Sequence, residues 1–431
     1  MNRADDVPSE SAVLVAVLSN RSGFNGHPLE ELEGLAETVG VEVVAELTQW
    51  RQTPDAATYL GRGKVEELTS LAAMRNADVI LFDNDLTPAQ MRNLEKATGV
   101  RVLDRTEVIL DIFASRAQTH EARLAVELAQ LEYAMPRLKR MWTHLSRLKK
   151  GAGLRGPGEK QLEVDRRLVE RRISELRSEL ARVHRRRERE VAARHDRMNV
   201  SLVGYTNAGK STLLNRLTGA DVFTQDALFA TLDTRTRRWQ LPGWGPVLLS
   251  DTVGFIRNLP HHLIASFKAT LEEARQADLL LHVADGSSHS VVEQIAAAYA
   301  VLEEIGIRQK DTLLVLNKID RLEDRGRLIS LTNRFPNAVP ISARSGEGLP
   351  QLAAVVSDAL SRTFLDLDVE TAAGNGRLLA YLSAHGEVLS KEYHDDRVVV
   401  HCRMPRGHLG RIQREDAVVR RREEHAPSNT R

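Results

Sequence analysis

Cysteine is nearly absent from this 431-residue sequence, because Cys402 is its single example. An intrachain disulfide is therefore excluded, and a reducing compartment fits the composition. Also missing are a run of the ~18 apolar residues that a membrane-spanning helix needs and the basic n-region of a secretory signal, since the chain starts with the acidic MNRADDVPSE. Neither internal repeats nor long low-complexity tracts are visible. We expect a cytoplasmic protein without a membrane anchor.

A dominant charge is missing as well. Sixty Lys and Arg stand against 59 Asp and Glu, for a net charge of +1, so the global charge names no partner. Hydrophobic residues make up 42% of the chain, an ordinary share for a globular protein, and the length predicts about two to four domains.

What is present begins with a phosphate-binding loop. Residues 204–211 read GYTNAGKS and match G-x-x-x-x-G-K-[ST] at every fixed position. The preceding run VSLV predicts a buried strand, and the following TLLNRL predicts the start of a helix. Gly204 and Gly209 permit φ values that other residues avoid, so successive N–H groups can form an anion nest at a helix N-terminus. We predict that Lys210 contacts the β- and γ-phosphates and that Ser211 ligates Mg²⁺.

Three further motifs predict a guanine nucleotide. Asp251-Thr252-Val253-Gly254 ends an apolar run, where the carboxylate can hold Mg²⁺ through water and the glycine N–H can approach the γ-phosphate. The motif 317–320 reads NKID, and its carboxylate can accept both N1–H and N2–H of guanine, a pair that adenine lacks. In that motif Asn317 is expected to reach N7 and the stem of Lys318 to cover the base.

The last of the motifs is Ser342-Ala343-Arg344, where the Ala343 N–H can meet guanine O6. We assign catalytic roles to Lys210, Thr231 and Gly254. The full set of predicted nucleotide-binding residues is Gly204, Tyr205, Thr206, Asn207, Ala208, Gly209, Lys210, Ser211, Thr212, Phe229, Ala230, Thr231, Asp251, Thr252, Val253, Gly254, Asn317, Lys318, Asp320, Ser342, Ala343 and Arg344.

The switch that senses the γ-phosphate is expected between the phosphate loop and Asp251. Its segment FATLDT spans 229–234, and we favour Thr231 as the second protein ligand of Mg²⁺. Thr234 and Thr224 are rivals, and spacing alone does not choose among the three.

Two positions modify the expected chemistry. Phe255 follows Gly254, where Ras-like GTPases carry a Gln that orients the attacking water, so we expect slow hydrolysis by the isolated protein. Asn207 lies inside the phosphate loop and is first a turn residue, but in some GTPases an Asn here helps to bind K⁺, which we keep as a hypothesis.

Residues 116–197 are basic, with 22 Lys and Arg against 12 Asp and Glu. Two heptad seams predict long antiparallel helices, although Pro136 is expected to kink or break the first. Between them, 151–158 reads GAGLRGPG and predicts a flexible tip. A coiled-coil spacer is the alternative, but the cations around this tip, among which we counted Arg137, favour contact with RNA. The predicted RNA-binding residues are Arg147, Lys149, Lys150, Gly151, Gly153, Arg155, Gly156 and Lys160.

The two ends of the chain predict further domains. Residues 11–115 alternate strand-like runs (AVLVAVLS, VEVVAELTQ, DVILFDND, VRVLDRTEV) with helical patterns, which is typical of a mostly parallel sheet. ETAAGNG at 370–376 predicts a linker before a small domain with one helix near 377–385 and strands near 388–393 and 397–402. We expect the charged tail to be disordered.

These residues together resemble the HflX family of ribosome-associated translational GTPases, P-loop proteins of the TRAFAC class. The resemblance covers nearly the whole chain and includes LFDNDLTPAQMRNLE (81–95), VLDRTEVILDIFASRAQTHEARLAVELAQL (102–131) and RGPGEKQLEVDRR (155–167). The tip departs from the family pattern GG-x-G-x-RGPGE-T-QLE, because Lys150 replaces the first Gly and Lys160 the Thr. Both changes add charge that favours RNA.

The resemblance implies an α/β multidomain fold. We expect an N-terminal α/β subdomain (1–115), a helical hairpin (116–197), a P-loop G domain with a mostly parallel sheet and flanking helices (198–365), and a small α+β C-terminal domain (366–431). It also implies GTP and GDP as ligands, Mg²⁺ as cofactor, and the 50S subunit of the 70S ribosome as partner, with the tip loop on 23S rRNA near the peptidyl transferase centre.

The implied activity is the splitting of stalled or idle ribosomes by a monomer, with GTP hydrolysis as the release timer. Three alternatives stay open: a GTP-dependent checkpoint in large-subunit assembly, a nucleotide-driven RNA remodeller, and a regulator of a membrane protease. An assembly checkpoint would prefer an immature 50S precursor to a mature 70S particle. An RNA remodeller would separate the strands of naked RNA.

Overall fold

The structure is a computed structural model that describes residues 10–19, 27–148, 157–192, 198–220, 228–232, 234–242, 245–257, 273–304, 306–307, 312–322, 324–361, 364–405, 408–413, 415 and 417–422. Side chains are described in these ranges except at 138–148, 157–165, 187–192, 387 and 405. Within this part of the chain, no helix is long and apolar enough to cross a membrane.

The N-terminal domain is a four-stranded parallel sheet in the order β2-β1-β3-β4. The central strand β1 is buried on both faces, because helices cover each side of the sheet. The predicted mostly parallel sheet is confirmed. Its elements are β1 (Ser11–Leu18), α1 (Glu30–Val39), β2 (Glu42–Trp50), α2 (Arg62–Arg75), β3 (Val79–Phe82), α3 (Pro88–Thr98), β4 (Arg101–Asp104) and α4 (Arg105–Arg116).

The strand predicted over VRVLDRTEV is too long. Strand β4 ends at Asp104, and helix α4 begins with the next residue. The side chain of Asp104 accepts a hydrogen bond from the Glu107 N–H (3.0 Å), so it caps the helix at once. The helix-capping hydrogen bond of this carboxylate outweighs the strand preference of the β-branched residues that follow it.

The hairpin consists of α5 (His120–Leu148) and α6 (Pro157–Ala192). Leu124, Leu128, Ile173 and Leu176 of the predicted seams are buried. Two Arg–Glu pairs cross between the helices and flank this seam, with Arg172 on Glu127 (2.7 Å) and Arg177 on Glu132 (2.7 Å). The predicted antiparallel pairing is confirmed for the part that the structure describes.

Of the kink or break predicted at Pro136, the break is wrong, because α5 runs through this residue without interruption. A proline inside a helix removes one backbone hydrogen bond. The apolar seam and the Arg–Glu pairs with α6 hold the stretch of α5 that precedes this gap.

The prediction that Arg137 belongs to the cations of the tip is wrong. Its Nη2 donates to Asp104 Oδ2 (2.8 Å) and to the Leu86 carbonyl oxygen (3.3 Å), and its guanidinium lies 3.3 Å from the centroid of the Tyr133 ring. The hydroxyl of Tyr133 donates to Asp104 Oδ1 at 2.6 Å. These contacts fix the middle of helix α5 to the start of helix α4.

The G domain is a six-stranded sheet in the order β10-β9-β8-β5-β7-β6, parallel except for the β6–β7 pair. The predicted strand–loop–helix around the phosphate loop is confirmed. The elements are β5 (Asn199–Gly204), α7 (Lys210–Thr218), β6 (Arg235–Leu241), β7 (Gly245–Asp251), β8 (Leu279–Asp285), α8 (Val291–Glu304), β9 (Thr312–Asn317), a 3₁₀ turn (Ile319–Arg321), α9 (Arg325–Arg334), β10 (Val339–Pro340) and α10 (Leu349–Ser361).

The C-terminal domain is an antiparallel sheet in the order β12-β13-β11-β14, with α11 and α12 against one face. This βαββαβ order is the ferredoxin-like arrangement. Its elements are β11 (Phe364–Ala372), α11 (Gly376–His385), β12 (Glu387–His394), β13 (Arg397–Pro405), α12 (Leu409–Ile412) and β14 (Val418–Arg421).

Two predictions for this region are corrected. The first half of the linker predicted at 370–376 belongs to β11, which starts at Phe364, two residues before the boundary predicted at 366. Part of the tail that we expected to be disordered forms β14, because residues 418–421 pair with β11. Residues 423–431 of that tail lie outside the described residues.

The other face of this sheet carries charged side chains that pair across the strands. Asp366 contacts His401 (2.5 Å), Asp368 accepts from Arg422 (2.8 Å), and Glu370 pairs with Arg397 (3.2 Å). Cys402 is fully buried on the helical face. Burial raises the pKa of its thiol to about 12, so it stays protonated.

Candidate nucleotide-binding site

The phosphate loop joins β5 to α7 at the carboxyl edge of the sheet. Gly204 (φ +138°) and Gly209 (φ +88°) both have positive φ, as the motif requires. A side chain at 209 would meet the amide nitrogen of Asn317 at 2.3 Å. The loop and the NKID motif are therefore packed too closely for any residue except glycine at this position.

A cavity of about 330 Å³ opens over this loop. It brings together most of the predicted nucleotide-binding residues, and Arg321, which we had not predicted, also lines it. The predicted residues on its wall are Thr206, Asn207, Gly209, Lys210, Ser211, Thr212, Phe229, Ala230, Thr231, Thr252, Gly254, Asn317, Lys318, Asp320, Ala343 and Arg344. The predicted residues outside the lining are Gly204, Tyr205, Ala208, Asp251, Val253 and Ser342, all of them buried.

Lys210 is buried beneath the cavity. Its Nζ donates to the carbonyl oxygens of Gly204 (3.1 Å) and Tyr205 (2.9 Å). Burial lowers the pKa of Lys210 to about 8, although the nearby Asp251 opposes that shift. A polyphosphate placed over the loop supplies negative charge, which favours the protonated ammonium group.

Three oxygen atoms meet beside Lys210. The Ser211 hydroxyl donates to Asp251 Oδ2 (2.5 Å) and lies 2.7 Å from the Thr231 hydroxyl. Burial raises the pKa of Asp251. The other carboxylate oxygen, Oδ1, is buried and has no hydrogen-bond partner among the described residues. An all-oxygen set with an unsatisfied carboxylate oxygen fits Mg²⁺.

The structure separates the rival threonines of the switch. Thr231 lies against Ser211, whereas the Thr234 hydroxyl is buried without a hydrogen-bond partner among the described residues. Thr224 and Asp233 lie outside the described residues. The geometry therefore supports Thr231 over Thr234 as the metal ligand.

The start of the second switch lies directly on the phosphate loop. The Thr206 N–H donates to the Phe255 carbonyl oxygen (2.7 Å), and the Phe255 N–H donates to the Gly204 carbonyl oxygen (3.0 Å). A side chain on Gly254 would lie 2.6 Å from Thr206 Cα, so glycine alone permits this approach. The Phe255 ring is buried, so this side chain cannot orient a water molecule.

Asn317 links the base-recognition loops to the phosphate loop. Its Nδ2 donates to the Ala208 carbonyl oxygen (2.8 Å), and its Oδ1 accepts from the Ala343 N–H (2.9 Å). The amide keeps a second N–H for guanine N7. The Ala343 N–H, expected on guanine O6, would have to share its hydrogen with Asn317.

The neighbouring residues of the NKID motif are held in place. Lys318 has φ +62°, and its Nζ pairs with Asp285 Oδ2 (2.8 Å) at the end of β8. This pair fixes the lysine stem along the cavity wall, where it can cover a base. Asp320 follows in the 3₁₀ turn with its carboxylate exposed. The Ser342 hydroxyl is used internally, since it accepts from the Ser345 N–H (3.0 Å).

A buried ionic cluster, which the sequence analysis did not predict, lies where the N-terminal domain meets these switches. Arg105 is buried and pairs with Glu31 (3.0 Å) and Asp83 (2.5 Å), while Arg257 contacts the same two carboxylates at 3.4 and 3.1 Å. Burial raises the pKa of Asp83 more than the two arginines lower it. One signal was available: Asp83 and Arg105 each follow the end of a parallel strand, an edge at which functional side chains gather.

The predicted RNA-binding residues are not placed by the structure. Lys149, Lys150, Gly151, Gly153, Arg155 and Gly156 lie outside the described residues. Arg147 and Lys160 belong to α5 and α6, but their side chains are not among those described.

Three family models match consecutive parts of the chain. Residues 27–114 match a GTP-binding GTPase N-terminal region, 116–194 a GTP-binding GTPase middle region, and 199–318 a 50S ribosome-binding GTPase. Among solved structures, a GTP-binding protein from Sulfolobus solfataricus in complex with GDP aligns over 81% of this chain and 98% of its own, with 24% identity and a TM-score of 0.43.

Full-length relatives are closer in sequence. GTPase HflX of Escherichia coli K12 is 47% identical over 92% of this chain and 94% of its own, and GTPase HflX of Chlamydia pneumoniae is 42% identical over 94% and 87%. These likenesses run through the N-terminal domain, the hairpin and the G domain. The chain therefore belongs to the HflX family and is a GTPase that hydrolyses GTP to GDP and phosphate.

Proposed function

We propose that this GTPase binds the large ribosomal subunit in its GTP form and splits stalled or idle 70S ribosomes in the cytoplasm. GTP orders the two switches, the ordered protein docks as a monomer, and hydrolysis releases it. The observation that carries the proposal is the hairpin. Its second helix has 36 residues, which at ~1.5 Å per residue extends roughly 54 Å. The middle of its first helix is bonded through Tyr133 to the domain that contacts both switches.

The proposed recognition lies at the tip. The cationic residues Arg147, Lys149, Lys150, Arg155 and Lys160, with Gly151, Gly153 and Gly156, would contact 23S rRNA near the peptidyl transferase centre. Positive side chains on a glycine-rich loop can follow a phosphate backbone into a narrow groove. The name of the family model that matches the G domain, a 50S ribosome-binding GTPase, supports the same partner.

In the proposed nucleotide site, Lys210 binds the β- and γ-phosphates and Gly254 presents its N–H to the γ-phosphate. Ser211 and Thr231 would ligate Mg²⁺, and Asp251 would hold it through water. The ion neutralises charge on the phosphates when it is bound. K⁺ near Asn207 is part of the proposal, since this exposed loop residue has φ +56° and lines the cavity.

Slow hydrolysis by the isolated protein follows from Phe255, because the side chain at this position cannot orient water. We expect the ribosome to complete the site. The division into an N-terminal subdomain (1–115), a hairpin (116–197) and a G domain from 198 is proposed with it, and the start of the C-terminal domain moves from 366 to Phe364, where β11 begins.

The test combines GTP turnover with light scattering. Turnover is measured for the protein alone, with 50S subunits and with 70S ribosomes, while scattering follows 70S dissociation. We expect slow turnover alone, many-fold stimulation by 50S, and loss of 70S that requires GTP. Stimulation without dissociation would indicate an assembly checkpoint, and strand separation on naked RNA an RNA remodeller.

A matched pair of variants tests the tip. Replacing Lys149 and Lys150 with Gln should abolish the stimulation and leave turnover without ribosomes unchanged. The control replaces two exposed lysines elsewhere, Lys96 in α3 and Lys391 in β12, with Gln. It should keep the stimulation, and equal loss in both variants would refute a role for the tip.

A further inference from the structure

A carboxylate from the N-terminal domain meets the phosphate loop and the second switch at one point. The Tyr205 hydroxyl in the phosphate loop donates to Glu31 Oε1 (2.5 Å). The same hydroxyl accepts from the main-chain N–H of Arg257 (2.5 Å), which also approaches Glu31 Oε1 at 3.2 Å. Helix α1, the phosphate loop and the second switch are thereby joined through Glu31, Tyr205 and Arg257.

This junction is shielded from water. Tyr205 is 6% exposed and the side chain of Glu31 is 16% exposed. Burial, followed by the charge of Glu31, raises the pKa of the Tyr205 phenol, so the hydroxyl keeps its proton and remains a donor. Arg105 balances the carboxylate with its Nη2 at 3.0 Å from Oε1, and the same Nη2 donates to the Arg257 carbonyl oxygen (3.1 Å).

The junction holds one end of a short segment whose other end lies at the γ-phosphate position. Residues 254–257 are fixed to the phosphate loop at Phe255 by two backbone hydrogen bonds. At Arg257 they are fixed by the Tyr205 hydroxyl and Glu31. Gly254, at the other end, lies so close to the loop that an added Cβ would be 2.6 Å from Thr206 Cα.

We propose that Glu31 and Tyr205 are positioning residues for GTP hydrolysis. Because residue 255 has no polar side chain, orientation of the γ-phosphate and of attacking water depends on the main chain of this segment. Glu31 and Tyr205 restrain that main chain, so the Gly254 N–H meets the transition state without further ordering. Helix α1 of the N-terminal domain is in this sense part of the GTPase site.

The proposal rests on GTP hydrolysis and not on ribosome splitting, so it is tested without ribosomes. Single-turnover hydrolysis of GTP is measured for the full-length protein and for Tyr205→Phe, Glu31→Ala and Glu31→Gln. Tyr205→Phe removes one hydroxyl and keeps the buried ring. We expect Tyr205→Phe and Glu31→Ala each to lower the rate constant about ten-fold. Glu31→Gln should lower it less, because its amide oxygen can still accept the hydrogen bond from the Tyr205 hydroxyl.

Two further readouts separate positioning from a structural role. The affinity for GTP should change less than two-fold, since neither side chain lines the phosphate cavity. The double variant should be no slower than either single one, because both act through one junction. Glu37→Ala, an exposed residue on the same helix, is the control and should hydrolyse GTP at the normal rate.

The outcomes decide the proposal in either direction. Lower rate constants with unchanged affinity and no additivity support it. An unchanged rate constant in Tyr205→Phe, a faster one, or effects of the two variants that multiply would overturn it. Failure of ribosome splitting in the full-length protein would leave these rates unaffected, so the two proposals can fail separately.

Discussion

The ring of Phe113 in helix α4 meets the ring of Phe229 in the first switch edge to face, with centroids 4.7 Å apart. Phe229 is 1% exposed and has φ +53°, and its N–H donates to the Thr206 hydroxyl (2.7 Å). The N-terminal domain thus packs against Phe229, which lies only two positions before Thr231. A strained backbone at this point persists because the packing around it is tight.

Truncation of the Phe113 side chain tests how much its contact with Phe229 contributes to stability. Phe113→Ala should lower the free energy of unfolding by about 3–5 kcal/mol, since it leaves a cavity beside Phe229. Phe113→Leu, which keeps most of the volume, should cost about 1 kcal/mol. Urea unfolding of the two variants and the parent provides the comparison. An equal loss in both would indicate that edge-to-face geometry, not volume, holds the switch.

Proton uptake on GTP binding follows from Lys210. Its pKa of about 8 means that a growing fraction is neutral above pH 8, whereas bound phosphates favour the charged form. The affinity should therefore fall by up to about ten-fold per pH unit above 8. Calorimetry at pH 9 in two buffers of different ionisation enthalpy should report nearly one proton taken up, and almost none at pH 7.

The matched variant for this prediction is Lys210→Arg, because a guanidinium stays charged throughout this range. Its affinity for GTP, even if weaker, should not depend on pH between 7 and 9. A pH dependence equal to that of the parent would assign the proton to another group.

Acid should destabilise the G domain through His282. Burial lowers the pKa of this histidine to about 4, from 6.5, and its ring packs edge to face on Tyr299 (4.9 Å). The unfolded chain binds the extra proton between these two pKa values, so stability present above pH 6.5 is lost as the pH falls towards 4. At pH 5 the loss relative to pH 7 should be about 2 kcal/mol.

His282→Phe keeps an aromatic ring against Tyr299 and removes the titrating group. Urea unfolding gives the free energy of unfolding at pH 5 and pH 7. The decrease from pH 7 to pH 5 should be smaller for this variant than for the parent by about 2 kcal/mol. If both proteins lose equal stability, His282 is not the source of the acid sensitivity.

Base selectivity should change with Asp320. An aspartate accepts two N–H groups of guanine, whereas the amide of Asp320→Asn accepts one and donates one. The variant should bind GTP about a hundred-fold more weakly and gain affinity for xanthosine triphosphate, which carries a carbonyl oxygen where guanine has its amino group. Competition titrations with GTP, XTP and ATP measure this, and unchanged preference for GTP would contradict the assignment.

Much of the nucleotide site could be predicted because its chemistry is local in sequence. The residues of each motif lie within three to eight positions, and the parallel sheet brings the strand ends to one edge. Thr231 could be proposed but not chosen over Thr234, because both are hydroxyls in one loop. Only the position of Ser211 against Thr231 distinguishes them.

The contacts between domains could not be predicted. Glu31 and Tyr205 are 174 residues apart, and a glutamate on an amphipathic helix gives no sign that its partner is a phosphate-loop tyrosine. Pro136 was misjudged because local propensity argues for a break, while the seam against α6 keeps the helix continuous. Arg137 was misplaced for a related reason: a charge count cannot tell a solvated cation from one already bonded to Asp104.

The open face of the C-terminal sheet has a consequence for how this domain meets a polyanion. Asp366, Asp368 and Glu370 already hold His401, Arg422 and Arg397 as partners. Cations neutralised in this way displace few condensed counter-ions from RNA. Any contact that this face makes with a ribosome should therefore respond weakly to salt, whereas docking of the hairpin tip, whose sequence is rich in Lys and Arg, should weaken steeply as the ionic strength rises.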